Sequence, residues 1–384
     1  MIPYGKQDIL ADDIEAVADV LKSDFLTQGP VVPKFEKFLS EAANSNYVTV
    51  VNSATSALHL ACLALEVQPG DFIWTVPNTF VASANCALYC GASVDFVDID
   101  PLTANLSVEL LKQKLRTAAL SGRLPKVVIP VHLSGESCDM AEIRKLSYEF
   151  NFKIIEDASH AIGGRYRDKP IGTCEFSDIT VFSFHPVKII TSGEGGALLT
   201  NCPELDQKLK LLRSHGITRD KDLMEHPSDD GWYYEQIDLG FNYRMTDIHA
   251  ALGLSQLSRI HDYVDKRHKI AKIYDLEFVE SSIQLPFRNA NNKSALHLYI
   301  IQVEKARHKY IFRKLREKKI GVNLHYIPVH THPYYQKLGF KWGDFPNSEA
   351  YYSRAISLPI FPSLTQEDQR YVIDTVKLVC NGKS

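Results

Sequence analysis

Short apolar runs rich in β-branched and aromatic residues alternate along this chain with stretches whose apolar positions recur every three or four residues. The runs cover residues 47–52, 72–76, 93–99, 126–132, 153–156, 179–184 and 197–200. The stretches between them include residues 56–65, 80–89, 108–115, 140–150 and 205–213. The first pattern predicts strands and the second helices. Strands separated by helices imply a mostly parallel sheet covered on both faces, which makes the fold class α/β. In such sheets, ligands bind beyond the carboxyl ends of the strands.

The flanks read differently. Residues 1–45 predict an N-terminal arm with a helix over 9–21. Residues 246–280 predict one long helix, opened by Thr246-Asp247 and carrying Ile248, Leu252, Leu254 and Leu257. Beyond it come a strand over 296–303, a helix over 308–318, a strand-like 321–326 and a closing helix over 366–379. A chain of 384 residues exceeds what one core usually organises. Two domains are therefore expected: a large one, 1–250, and a smaller α+β C-terminal one, 251–384.

Composition narrows the partners. The net charge of -3 gives no clustered basic surface for a phosphate backbone, so no nucleic-acid partner is expected. No apolar stretch reaches membrane-spanning length, so no membrane is expected either. The start, Met1-Ile2-Pro3-Tyr4, lacks a basic region followed by an apolar one. Seven scattered cysteines show no paired metal spacing. Cys86 and Cys90 read as one face of a buried helix, and no metal site is expected. Free thiols suggest a reducing, cytoplasmic setting.

The chemistry concentrates where strands end. Asp157-Ala158-Ser159-His160 closes one run, and Lys188 follows the next, in Ser183-Phe184-His185-Pro186-Val187-Lys188, ahead of Gly193-Glu194-Gly195-Gly196. A carboxylate at one strand end and a lysine beyond the next suit pyridoxal 5'-phosphate (PLP). The lysine forms an imine with its aldehyde, and the carboxylate keeps the pyridine nitrogen protonated. Apolar Val187, Ile189 and Ile190 around Lys188 argue for a desolvated amine rather than a surface charge. Asn52-Ser53-Ala54-Thr55-Ser56-Ala57 leaves a strand and opens a helix, so Ala54 and Thr55 are candidates to hold the phosphate. By itself that segment is an ordinary helix cap. Ser183 is a second phosphate donor. Phe80 is a candidate to stack on the pyridine ring. His160 is a candidate to bond the ring oxygen or steady Asp157.

These motifs resemble the DegT/DnrJ/EryC1/StrS sugar aminotransferase family. The resemblance extends to Leu26-Thr27-Gln28-Gly29-Pro30, Arg213-Ser214-His215-Gly216, Asn242-Tyr243-Arg244-Met245-Thr246-Asp247 and His325-Tyr326-Ile327-Pro328. It implies the PLP-dependent fold type I, aspartate aminotransferase-like. It makes Lys188 the imine lysine and Asp157 the pyridinium partner, with pyridoxamine 5'-phosphate as the intermediate form of the cofactor. It also implies a homodimer in which Asn242 serves the neighbouring subunit's phosphate site. Family members that dehydrate sugars carry histidine at the lysine position, so Lys188 favours transamination. The loops resemble most the C4 aminotransferases of pseudaminic acid biosynthesis, although Ser192 stands where threonine is expected. That subgroup implies a UDP-linked 4-keto-6-deoxy-N-acetylhexosamine acceptor and an L-glutamate donor that leaves as 2-oxoglutarate. The candidates for substrate contact are Tyr4, Thr27, Gly29, His325 and Tyr326. The alternatives are a dTDP-3-keto sugar or a UDP-4-keto-pentose as acceptor, or a PLP-binding regulator without turnover.

Overall fold

The computed structural model describes residues 1–226 and 228–381. Seven strands form the central sheet: β1 (Tyr47–Val51), β2 (Phe72–Thr75), β3 (Ser93–Phe96), β4 (Val127–Val128), β5 (Lys153–Asp157), β6 (Ile179–Ser183) and β7 (Gly196–Thr200). Their order across the sheet is β1-β7-β6-β5-β4-β2-β3. The pairs β6–β5, β5–β4, β4–β2 and β2–β3 are parallel, while β7 runs antiparallel to both neighbours. Residues 184–195 contain no helix to carry the chain back to its starting edge, so β7 returns in the opposite direction. The run at 126–132 yields only two strand residues. Pro130 has no N–H to donate there, although Ile129 N still bonds Trp74 O at 2.7 Å.

Helices cover both faces: α1 (Ala11–Lys22), α2 (Val31–Ala43), α3 (Ala54–Ala64), α4 (Ala82–Tyr89), α5 (Val108–Ser121), α6 (Met140–Phe150), α7 (Pro203–Leu212), α8 (Asp247–Leu257) and α9 (Ile260–Phe278). Every residue of β6 and β7 is buried, as a sheet covered on both faces requires. Within the stretch 1–45, expected as an arm with one helix, the structure has a second helix, α2. Its Phe35 and Leu39 are buried against the sheet and α8, each worth about 2 kcal/mol or more. Gly253 of α8 makes room for that packing, since a Cβ there would lie 2.7 Å from the Phe35 ring.

The single long helix expected over 246–280 is two helices. Ser258 Oγ bonds back to Ser255 O at 2.7 Å, and Arg259 N closes a tight turn to Gln256 O at 3.1 Å. The break aims the Arg259 guanidinium at the buried Asp13 carboxylate of α1, 2.6 Å away.

A separate hydrophobic cluster is drawn from residues between Ile270 and Cys380. It packs α9, the helices His308–Glu317 and Gln366–Asn381, and an antiparallel pair, Tyr299–Gln302 with Ala355–Leu358. The strand-like 321–326 contributes only Ile320–Gly321, which pairs in parallel with Ile2–Pro3. The N-terminal arm is thereby stitched to this C-terminal unit. Among the described residues, no helix is long and apolar enough to cross a membrane. None of their His, Cys, Asp and Glu side chains form a group of three that could hold a metal ion.

Candidate active site

The site begins with strand register. Asp157, the last residue of β5, lies opposite Val181 of β6. Ser183, two residues further along β6, lies opposite Gly196 of β7, and Gly196 in turn faces Val51 at the end of β1. The chain leaves Val51 through Asn52 and Ser53 into α3. Ser53 Oγ accepts from Ser56 N at 3.1 Å, while the Ala54 and Thr55 N–H groups have no partner among the described residues. A Cβ on Gly196 would sit 2.6 Å from Ala54 N. Glycine there lets the open first turn of α3 settle beside Ser183, whose hydroxyl makes no hydrogen bond with other described residues. Two N–H groups, one hydroxyl and the positive end of a helix form a cradle for a phosphate.

Lys188 lies in the loop after β6, its N–H bonded to His185 O at 2.9 Å. The residue is half-buried, and its amine has no hydrogen bond or ion pair with other described residues. Desolvation lowers its pKa to about 8, against the pull of the Asp157 charge. That leaves about a tenth of the amine in the neutral, nucleophilic form at pH 7, far more than for a solvated lysine. Asp157 is 5% exposed. Its Oδ2 accepts from Ser83 Oγ at 2.6 Å, and its Oδ1 accepts from Ser159 N at 3.1 Å and Ser159 Oγ at 2.6 Å. Three donors hold the carboxylate in one orientation. An aldehyde at Lys188, a cationic ring nitrogen at Asp157 and a phosphate at the α3 cradle match the groups of PLP, so these residues fit that cofactor.

The opposite wall is aromatic. His160 Nδ1 accepts from Ser134 N at 3.3 Å, so its Nε2–H donates to Tyr326 Oη at 3.0 Å. Burial, reinforced by the Lys188 charge, keeps His160 far below its ordinary pKa and therefore neutral. Both ring nitrogens are thus committed, and His160 anchors Tyr326 rather than bonding Asp157. Tyr326 N in turn donates to Asn78 Oδ1 at 3.0 Å. His325 bonds Ser357 Oγ through Nδ1 at 2.7 Å and is held neutral, its pKa lowered to about 3 by burial and by Lys188. Tyr4, just beyond the arm's strand pairing, packs its ring 5.2 Å from that of His325. Phe80 is 59% exposed, with its ring 6.4 Å from Tyr326, so it is not core packing.

Thr27 and Gly29 lie elsewhere, against α8. Thr27 bridges Thr246, and Asp247 accepts from Gly29 N and Val31 N, both at 3.2 Å. Asp247 thereby caps α2, whose own cap position is Pro30. A Cβ on Gly29 would lie 2.3 Å from Asp247 Oδ2. The backbone of Gly29 is thus occupied in joining α2 to α8. Asn242 is exposed and bridges Ser214, beside Tyr243, whose carbonyl accepts from Asn52 N at 2.9 Å.

Three residues escaped the sequence reading of roles. Ser159 sat inside a quoted motif. Ser83 and Asn78 carried no signal, because only the packing of α4 and of residues 325–329 brings them to Asp157 and Tyr326.

The sequence profile of the DegT/DnrJ/EryC1/StrS aminotransferase family matches residues 7–377. The chain is 38% identical to the spore coat polysaccharide biosynthesis protein SpsC of Bacillus subtilis, over 99% of this chain and 97% of that one. It is 36% identical to the UDP-4-amino-4,6-dideoxy-N-acetyl-beta-L-altrosamine transaminase of Campylobacter jejuni, over 98% of this chain and 96% of that one. Its fold is similar to that of Helicobacter pylori PseC, an aminotransferase involved in the biosynthesis of pseudoaminic acid, with a TM-score of 0.91 and 32% identity over 99% of each chain. The putative sugar aminotransferase Spr1654 of Streptococcus pneumoniae, in its PMP-form, also superposes with a TM-score of 0.91, at 31% identity over 99% of each chain.

Proposed function

The chain belongs to the DegT/DnrJ/EryC1/StrS aminotransferase family and is a PLP-dependent sugar aminotransferase, and we propose that it moves the amino group of L-glutamate to C4 of a UDP-4-keto-6-deoxy-N-acetylhexosamine. When bound, PLP supplies a ring that accepts the electron pair left on carbon when a proton departs. Lys188 would hold the cofactor aldehyde, and its lowered-pKa amine would carry the proton between carbon atoms. Asp157, fixed by Ser83 and Ser159, accepts from the ring N–H. Ala54 N, Thr55 and Ser183 hold the phosphate, and Phe80 covers one face of the ring. Tyr4, His325 and Tyr326, carried by the arm and by the small domain over 251–384, bind and orient the sugar. Thr27 and Gly29, on the segment against α8, are the remaining candidates for substrate contact.

The unpartnered Lys188 amine beside the triply bonded Asp157 carries the reaction assignment. The acceptor assignment draws on the 36% identity to the Campylobacter enzyme and on the PseC fold. A second reading, another nucleotide keto-sugar, draws on the comparable identity to SpsC. Incubation with glutamate and a panel of UDP-4-keto-6-deoxy-N-acetylhexosamine epimers, a dTDP-3-keto sugar and a UDP-4-keto-pentose separates them. A 4-amino-4,6-dideoxy-N-acetylhexosamine product supports the first reading, and faster turnover of another acceptor overturns it.

The working unit in this reading is a cytoplasmic homodimer, with Asn242 reaching the neighbour's phosphate site. The exposure of Asn242, and of Phe25 at 53% and Leu26 at 48%, supports it. Light scattering at micromolar concentration should give twice the chain mass; a monomer would remove that role for Asn242.

A further inference from the structure

Arg267 of α9 is only 1% exposed, and the chemistry described above does not use it. Burial lowers its pKa to about 10, so the guanidinium stays cationic at neutral pH. Its Nη1 donates to three backbone carbonyls: Leu296 O at 3.2 Å, His297 O at 3.1 Å and Ile360 O at 3.0 Å. Its Nε and Nη2 have no hydrogen-bond partner among the described residues. A buried cation with two idle nitrogens is a poor way to stabilise a core, since an apolar side chain of similar volume avoids both penalties. What the guanidinium does achieve is to gather two separate segments, 296–297 and 360, at one point.

Each segment leads to the aromatic wall of the cleft. His297 N donates to Ser134 O at 2.9 Å, Ser134 N donates to His160 Nδ1 at 3.3 Å, and His160 holds Tyr326. The His297 ring also lies 4.4 Å from the His160 ring. The fit along this line is close. A Cβ on Gly135, next in the same turn, would lie 2.8 Å from His160 O and 3.0 Å from Leu296 N. On the other line, Ile360 N donates to Tyr4 O at 3.0 Å, and Ser357 Oγ bonds His325 Nδ1 at 2.7 Å. Tyr274, seven residues along α9 from Arg267, donates to Pro359 O at 2.9 Å and so holds this segment too. Asp157 and Ser183 stand on strands of the sheet and make no hydrogen bond to Arg267.

We propose that Arg267 is a positioning residue for the acceptor sugar, setting the spacing between the segment that supports Tyr4 and His325 and the line that fixes Tyr326 through His160. The inference rests on the reading of Tyr4, His325 and Tyr326 as the sugar-binding wall. Arg267→Lys keeps a cation and its donors, but its chain is one atom shorter and ends short of the point where Nη1 meets the carbonyls. Arg267→Met keeps the volume and removes every donor.

The test follows the two halves of the reaction separately, by cofactor absorbance in PLP-loaded full-length protein. Glutamate is added to the PLP form, and the keto-sugar that the panel shows to react fastest is added to the pyridoxamine 5'-phosphate form. Arg267→Met should raise the sugar concentration for half-maximal rate about tenfold, and Arg267→Lys by less. Both should leave the glutamate half within about twofold of the parent. If Arg267→Met does not retain PLP, Arg267→Lys carries the same comparison. In a Tyr326→Phe background the effect of Arg267→Lys on the sugar half should shrink, because the two changes act on one contact. Equal losses in both halves, an unchanged sugar dependence in Arg267→Lys, or fully additive effects with Tyr326→Phe would overturn the proposal. A wrong acceptor assignment shows instead as a different preferred sugar in the panel and leaves this comparison intact.

Discussion

Asp157 and Ser183 stand on strands whose inner residues are buried and whose register is fixed by neighbours on both sides. Tyr4, His325 and Tyr326 stand on irregular segments that reach the same cleft from the N-terminus and from residues 321–329. The first group is positioned by the backbone ladder, the second by ring packing and single hydrogen bonds such as Tyr326 to His160. Rigid strands suit the groups that hold a cofactor and move protons, where small displacements are costly. Loops suit the groups that choose among sugars. Changes on the sheet side should therefore appear in kcat and cofactor retention, and changes on the loop side in KM.

Lys188→Ala should have the largest effect, a loss of turnover of about 10⁴-fold or more. Residual activity near the parent level in a steady-state assay would break the sheet side of the comparison. Asp157→Asn keeps the shape but removes the charge, and should lower kcat on the order of 10²-fold. Because the Asp157 charge raises the Lys188 pKa, the same variant also shifts proton uptake. Capture of PLP by the apoenzyme, followed by absorbance, should rise through about pH 8 and then level off, since the amine must be neutral to react. In Asp157→Asn the midpoint should move lower. A midpoint near ~10, as for an ordinary solvated lysine, would contradict the desolvated amine.

Ser183→Ala should weaken PLP binding about tenfold with little change in kcat at saturating cofactor, as expected for one hydrogen bond to a charged group. Equilibrium dialysis reads that directly. Tyr326→Phe removes a neutral hydrogen bond worth about 1 kcal/mol and should raise the sugar KM about fivefold while leaving PLP affinity alone. An effect on PLP affinity larger than that of Ser183→Ala would dissolve the distinction between the two walls.

The sheet was legible because its strands, from Tyr47 to Thr200, are short apolar runs, β-branched in all but the last. The direction of β7 was not, since composition says nothing about whether a connection crosses over or turns back. Helix α2 was obscured by Pro30 and Pro33, which suggest a break. Both fall at its start, where the missing N–H costs nothing and Asp247 supplies the cap from far along the chain. Lys188 and Asp157 were legible because local sequence carries their strand-end context. Ser83 and Asn78 were not, because their partners lie 74 and 248 residues away. His160 was found, but its hydrogen-bond partners, Ser134 and Tyr326, depend on packing that the local motif does not encode.

Borohydride reduction of the PLP-loaded protein, followed by peptide mapping, tests the central claim most directly. The account expects a single reduced pyridoxyl adduct, on the peptide that contains Lys188. An adduct on another lysine, or none in protein that retains bound PLP, would contradict it.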